Sequence, residues 1–345
     1  MQSHDRATRL PASPARGRLA ALPVAALLLG AAAVTNYLLA RRTEDRHPPR
    51  GRFVEADGVR LHYLERGEGK PVILLHGNGA MAEDFAISGV FQRLAARHRV
   101  IAFDRPGFGY SERPRDRVWT ASEQAAVIRE ALRQLGVRRP IILGHSWGAM
   151  VALELALADP LDTSGLVLLA GYYAPTARMD VALLSGTGLP VLGDLLRYTV
   201  SPLLGRLLGP WFVRKLFAPQ PVTAEFREQF SLEMALRPSQ LRAMGEDTAL
   251  MVPSAAALAK RYPALSVPAI VMAAAGDRIV GIDRQSRALH EQLRRSELWI
   301  VDWSGHMVHH MVPEDVVAAV TVIADAAWEM PVSALPSTAA NDDSS

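Results

Sequence analysis

Gly144-His145-Ser146-Trp147-Gly148 lies between an apolar run, Pro140-Ile141-Ile142-Leu143, and a second run, Ala149-Met150-Val151-Ala152-Leu153-Glu154-Leu155. The first run reads as a buried strand and the second as a helix. Glycines flank the serine at the seam. Glycine suits a place where strand and helix backbones pass too close for a β-carbon, or where the turn itself is strained. Ser146 is therefore expected on a sharp turn, its hydroxyl pushed out of the sheet edge. The helix N-terminus below it offers free N–H groups and a positive dipole to an anion.

The pattern alone is weak. At ordinary glycine and serine usage, about 0.1 chance matches are expected in a chain of this length, and Ser146 could be a plain turn serine. Four further stretches fall in order along the chain. Val72-Ile73-Leu74-Leu75 runs into the glycine loop His76-Gly77-Asn78-Gly79, which is either an ordinary chain reversal or a cradle of backbone N–H groups. Val100-Ile101-Ala102-Phe103 ends in Asp104-Arg105-Pro106-Gly107-Phe108-Gly109, read mainly as scaffold, with Asp104 and Arg105 satisfying loop backbone groups and each other. Ala269 to Ala274 delivers Gly276-Asp277 at its end; loop carboxylates are usually just solvated. Leu298 to Val301 leads to Gly305-His306, where His309 and His310 nearby dilute the signal of a single histidine. Jointly, Ser146, Asp277 and His306 each follow a predicted strand, in the chain order Ser, Asp, His.

On these motifs the sequence from residue 53 to about 330 resembles the α/β-hydrolase fold superfamily, and within it the members that carry a helical cap between the sixth and seventh strands. The resemblance implies a mostly parallel eight-stranded sheet with helices on both faces. It implies Ser146 as nucleophile, His306 as general base and acid, and Asp277 as its orienting carboxylate. The oxyanion hole would use the backbone N–H groups of Trp147 and Asn78. Family members that open epoxides or remove halides carry an aspartate at the nucleophile position, so Ser146 disfavours both activities. Proline iminopeptidases share a Ser-Trp-Gly elbow, but Asn78-Gly79-Ala80 departs from their glycine- and proline-rich loop.

Gly165 to Gly171 reads as the sixth strand, with Tyr172-Tyr173-Ala174-Pro175 and no acid after it, which strengthens Asp277. About ninety residues then pass before Pro268-Ala269-Ile270, too many for a simple connection. They read as helices over 191–197, 203–208, 211–217, 223–236 and 239–262. Apolar pairs such as Leu203-Leu204, Leu207-Leu208 and Trp211-Phe212 suit either a lid with a greasy pocket or a cap with a core of its own.

Residues 19–40 carry no charge. As a helix they span roughly 33 Å, enough for a bilayer core of about 30 Å. Arg16 and Arg18 precede them and Arg41 and Arg42 follow. The run reads as an uncleaved single-pass anchor, with a cleaved signal peptide as the alternative. Residues 1–52 hold nine arginines against Asp5, Glu44 and Asp45, a net of +6; the whole chain is +3, so the body is −3. The basic balance thus belongs to the membrane flanks, and nucleic-acid binding is disfavoured. Four arginines before the span and five after it leave the side of the catalytic body open.

The organisation expected is a basic segment 1–18, an anchor 19–40, a linker 41–52, a core 53–173 and 263–330, a cap 174–262 and a disordered tail 331–345. Phe53 to Glu65 reads as a hairpin turning at Asp57-Gly58. The chain has no cysteine, which removes disulfides, thiolate catalysis and Cys-based zinc sites. It shows no zinc-type histidine spacing, no P-loop, no dinucleotide fingerprint and no repeat; no cofactor or metal is expected. The activity expected is hydrolysis of an ester, thioester, lactone or amide of a hydrophobic small molecule through an acyl-enzyme. Carbon–carbon bond hydrolysis or haloperoxidase-like chemistry on the same triad is the alternative, and a non-catalytic ligand-binding protein a further one.

Overall fold

The computed structural model describes residues 15–176 and 185–328. Eight strands, β1 (Arg52–Ala56), β2 (Val59–Arg66), β3 (Pro71–Leu75), β4 (Arg99–Phe103), β5 (Ile141–His145), β6 (Gly165–Leu169), β7 (Ala269–Ala274) and β8 (Ser296–Val301), form one sheet. Their order is β1-β2-β4-β3-β5-β6-β7-β8. The first two are an antiparallel hairpin, and Asp57 (φ 49°) and Gly58 (φ 73°) both take positive φ at its turn. That geometry matches the right-handed twist of the strands it joins. β2 also pairs antiparallel with β4; every later pairing is parallel.

Parallel strands are covered on both faces, so they read as unbroken apolar runs. One face packs on α4 (Ala121–Gln134) and α5 (Trp147–Ala158), the other on α2 (Glu83–Ile87), α3 (Val90–Ala95) and α13 (Pro313–Trp328). α5 is buried from Trp147 to Ala156, as a helix that is apolar all round must be. Its one charge, Glu154, accepts a hydrogen bond from Arg261 at 2.6 Å. In the register Leu75 lies opposite Gly144 and His145 opposite Leu169. The loop after β3 and the turn after β5 therefore leave the sheet side by side.

Between β6 and β7 the chain passes through α6 (Leu192–Tyr198), α7 (Ser201–Phe217), α8 (Ala224–Gln229), α9 (Leu232–Ala235) and α10 (Pro238–Ala259). Two helices were expected across Gly209-Pro210, but α7 runs through. A proline removes one backbone bond and kinks a helix, and well-packed flanking turns can carry that loss. One helix was expected from 223 to 236, but the chain breaks at Phe230. Ser231 starts α9 by accepting from the N–H of Met234, and Thr223 caps α8 in the same way through Phe226.

α1 (Ala15–Arg46) lies against α6 and α9. The Asn36 amide donates to the carbonyls of Tyr198 and Thr199, each at 2.9 Å, and Arg237 pairs with Glu44 at 2.9 Å. Among the described residues no helix is long and apolar enough to cross a membrane. The anchor expected at 19–40 falls partly on side chains outside those described, at 19–22 and 25. Most of the basic segment 1–18, and the whole tail 331–345, lie outside the described residues as well.

Candidate active site

Ser146 takes φ 53° and ψ −117°, a left-handed backbone conformation that a residue with a β-carbon rarely adopts. The surrounding contacts hold it there. Its N–H donates to the Leu169 carbonyl at 2.9 Å, and α5 starts at the next residue. A β-carbon on Gly148 would lie 2.2 Å from the Leu75 carbonyl oxygen, and one on Gly144 2.5 Å from that of Gly148. Both glycines are thus required by the close crossing of helix and strand.

Around this turn the structure brings together the three residues that the chain order singled out. His306 Nε2 lies 3.0 Å from Ser146 Oγ, and His306 Nδ1 lies 2.8 Å from Asp277 Oδ2. The other carboxylate oxygen of Asp277 accepts the N–H groups of Ile279 (2.7 Å) and Val280 (3.0 Å). The acid is thereby fixed in orientation, and it fixes the imidazole in turn. Trp147 is the first residue of α5, so its N–H has no partner within the helix. Gly77 packs against the turn: a β-carbon there would lie 3.1 Å from Ser146 Cβ and 3.0 Å from His145 Nδ1. Asn78 follows it on the same side, and its side-chain amide reaches the cap, donating to the Met244 carbonyl (3.2 Å) and Thr248 Oγ1 (3.0 Å) of α10.

Asp104 and Arg105 do hold loop backbone, but they do not pair with each other as the sequence suggested. Asp104 binds His62 Nδ1 at 2.7 Å and accepts the N–H groups of Ala82 and Tyr110. Burial works against its charge, but His62, with help from His76 and the Ala82 N–H, holds its carboxyl below the usual range. Arg105 turns the other way. It donates to the carbonyls of His76 (2.8 Å) and Gly77 (3.2 Å), to Gln124 (2.8 Å) and to Asp247 of α10 (2.7 Å), with no exposed surface on either charge. Arg113 adds two bonds of 3.0 Å to Asp247. One buried guanidinium therefore joins the loop beside Ser146 to the cap.

A second buried network backs the imidazole. Asp84 accepts from His309 Nε2 and His310 Nε2, each at 2.8 Å. The His309 ring lies 4.4 Å from that of His145, and His145 Nε2 donates to the His306 carbonyl at 3.0 Å. Burial opposes charge on Asp84, but the two imidazoles outweigh it and hold the acid well below the ordinary carboxylate range. Ligand atoms of Asp84, His145 and His309 lie within 4.8 Å of one another, a trio of metal-ligand type. Both Asp84 oxygens already accept imidazole N–H groups, so the trio reads as a hydrogen-bond network. The sequence reading missed it, taking His309 and His310 as dilution of His306. The available signal was the pair of histidines one turn beyond the Gly-His step.

A cavity of about 650 Å³ opens between α7 and α8. Val213, Val222, Phe226 and Phe230 line it, and the exposed Arg214 and Arg227 stand at its edge. It does not reach Ser146, but Pro219 on its wall packs over Gly276, beside Asp277.

The buried histidines give stability a pH dependence. Burial, aided by Arg105, lowers His76 to about 4, and burial also lowers His145 and His309. A lowered folded-state value means that the unfolded chain binds the proton more readily. Stability is therefore full above the unfolded value near 6.5 and falls as pH drops below it. His76 alone contributes a loss of about 2 kcal/mol between pH 7 and pH 5. Thermal unfolding followed by circular dichroism should give a Tm at pH 5 lower by about 3 °C from His76 alone, and by more with His145 and His309. An unchanged Tm would mean that these imidazoles are solvated.

The model of the α/β hydrolase fold matches residues 70–311, and the chain belongs to that family. It is 33% identical over 122 residues to haloalkane dehalogenase 2 of Mycobacterium tuberculosis, covering 35% of this chain and 42% of that protein. It is 34% identical over 138 residues to 2-hydroxymuconate semialdehyde hydrolase of Pseudomonas putida, covering 39% of this chain and 49% of that one. The chain thus spans less than half the length of these two curated relatives. Among solved structures it resembles a bacterial membrane phospholipase A, described as a virulence factor, with TM-score 0.62 and 24% identity over 91% of this chain and 98% of that one. That likeness is one of fold.

Proposed function

We propose that the protein is a membrane-anchored serine hydrolase that cleaves an ester-type bond of a hydrophobic small molecule. The observation that carries this reading is the continuous chain of contacts from Ser146 Oγ through His306 to Asp277, at 3.0 Å and 2.8 Å. A serine hydroxyl is a poor nucleophile until a base takes its proton and a third group fixes that base. Ser146 Oγ attacks the carbonyl carbon as its proton passes to His306 Nε2. The oxyanion is held by the N–H groups of Trp147 and Asn78, and one such donor is typically worth about 10²–10³ in kcat. His306 returns the proton to the leaving oxygen, sulfur or nitrogen. Water then attacks the acyl-enzyme, giving up a proton to His306, which passes it to Ser146 Oγ as the acyl C–O bond breaks and the acid leaves. Asp277 holds the Nδ1–H of His306 and stabilises the imidazolium.

The apolar composition of the segment between β6 and β7 supports a hydrophobic substrate. The uncharged stretch 19–40 supports the anchor. The short matched region shared with the dehalogenase does not carry its reaction over, because a serine stands where halide-removing family members carry an aspartate. The likeness to the semialdehyde hydrolase favours a second reading, hydrolysis of a carbon–carbon bond on the same triad.

A fluorophosphonate probe tests the serine directly. The parent is expected to label, while Ser146→Ala and His306→Ala are expected not to. A well-folded parent that stays unlabelled would sink the assignment. A panel of esters, thioesters, lactones and vinylogous diketones then separates the two readings.

A further inference from the structure

We propose that the cap docks on a phospholipid bilayer through the outward face of α7, in continuity with α1. This rests on the anchored hydrolase proposed above and adds a second, separate membrane contact.

α7 is built inside out. Its glycines face the protein: a β-carbon on Gly205 would lie 2.2 Å from Leu236 Cδ2, and one on Gly209 2.9 Å from Leu232 Cδ2. Its large apolar side chains face outward, at Leu203, Leu204, Leu207, Leu208, Trp211 and Phe212. Leu207 is 74% exposed and Trp211 57%. A helix that borders water turns its bulky apolar residues inward, and a contiguous apolar patch of this kind marks a partner or a membrane.

α1 repeats the inversion. Asn36, a strongly polar side chain within the uncharged run, is 3% exposed; it bonds the carbonyls at the end of α6 and accepts from Arg206. Leu27 and Leu28 on the same helix are 74% and 65% exposed. Polar groups turned to the protein with leucines outward are the arrangement of helices bordered by hydrocarbon.

The edge of the patch has the chemistry of a lipid headgroup layer. Arg214 and Arg227 are exposed there, and Lys215 Nζ lies 5.8 Å from the centre of the Trp211 ring. Aromatic side chains and cations collect at headgroup depth, the cations drawn by anionic lipid. These features together favour a bilayer over a second copy of the chain.

The test uses the full chain in vesicles of phosphatidylcholine and phosphatidylglycerol with brominated acyl chains, which quench tryptophans in contact with them. The chain has six tryptophans, so the Trp211 contribution is read as the difference between the parent and Trp211→Phe. Quenching that disappears in Trp211→Phe is expected. The double variant Leu207→Glu/Leu208→Glu should keep fluorophosphonate labelling and its rate on a water-soluble ester. It should lose the Trp211 quenching and act about tenfold more slowly on an ester embedded in the vesicles.

Protein that floats with the vesicles yet shows no Trp211-dependent quenching overturns the docking and leaves the anchor standing. Protein that labels at Ser146 but does not float overturns the anchor and the docking together. Leu207→Cys gives this cysteine-free chain a single thiol. Disulfide-linked dimers through it, with no quenching, would assign the face to a second copy.

Discussion

Ser146→Ala is expected to lower kcat by about 10⁵–10⁶-fold while leaving the fold and its Tm in place. The hydroxyl is the atom that would form the acyl bond, and the residual rate would come from substrate binding and the oxyanion donors alone. The side chain is small and half-buried, so its loss opens no large void. His306→Ala should cost about as much, and the double variant little more, because the two act as one unit. Asp277→Asn keeps the shape but presents a donor to an imidazole nitrogen that needs an acceptor, and about 10⁴ is expected there. Steady-state kinetics on a p-nitrophenyl ester checks all four. A Ser146→Ala enzyme within tenfold of the parent would remove the serine mechanism.

Asp247→Ala is expected to destabilise the protein by about 3–5 kcal/mol, since it strands the buried Arg105 guanidinium without its counter-charge, while Arg113 keeps Glu246 at 2.7 Å. Asp247 has no exposed surface and accepts from Arg105, Arg113 and Gln124 at 2.7–3.0 Å. Denaturant or thermal unfolding reads the loss. The same change should lower kcat in the surviving folded fraction, because Arg105 also holds the carbonyls of His76 and Gly77 beside the proposed oxyanion donors. Asp247→Asn preserves the shape and should fall between the two. A loss below about 1 kcal/mol would show that the charges are solvated in solution.

The parts of the fold legible in the sequence were those written in contiguous residues. The Asp57-Gly58 turn, the unbroken apolar strands and the two glycines around Ser146 each state a local backbone requirement. Ser146, Asp277 and His306 were legible because each follows a strand within a few residues. Arg105 and Asp247 were not, because the partners stand 142 residues apart and Asp247 lies within a cap helix that could have turned any face inward. Asp84 and His309 were hidden in the same way, 225 residues apart. The breaks within the cap were misread at Pro210, which α7 carries inside one continuous helix. Which face of α7 turns outward could not be read from its leucine pairs alone; it is decided by Leu232 and Leu236 filling the space above its glycines.

α1 ends at Arg46 and β1 begins at Arg52. Five residues extend at most roughly 17 Å, and the Tyr110 hydroxyl holds the His47 carbonyl partway along. On the anchored reading proposed above, an enzyme on so short a tether would not sample the volume of its compartment. It would meet substrate by diffusion within a plane, and its rate would depend on how many substrate molecules there are per lipid, not per litre. A sparingly soluble substrate would then saturate it at a bulk concentration near zero.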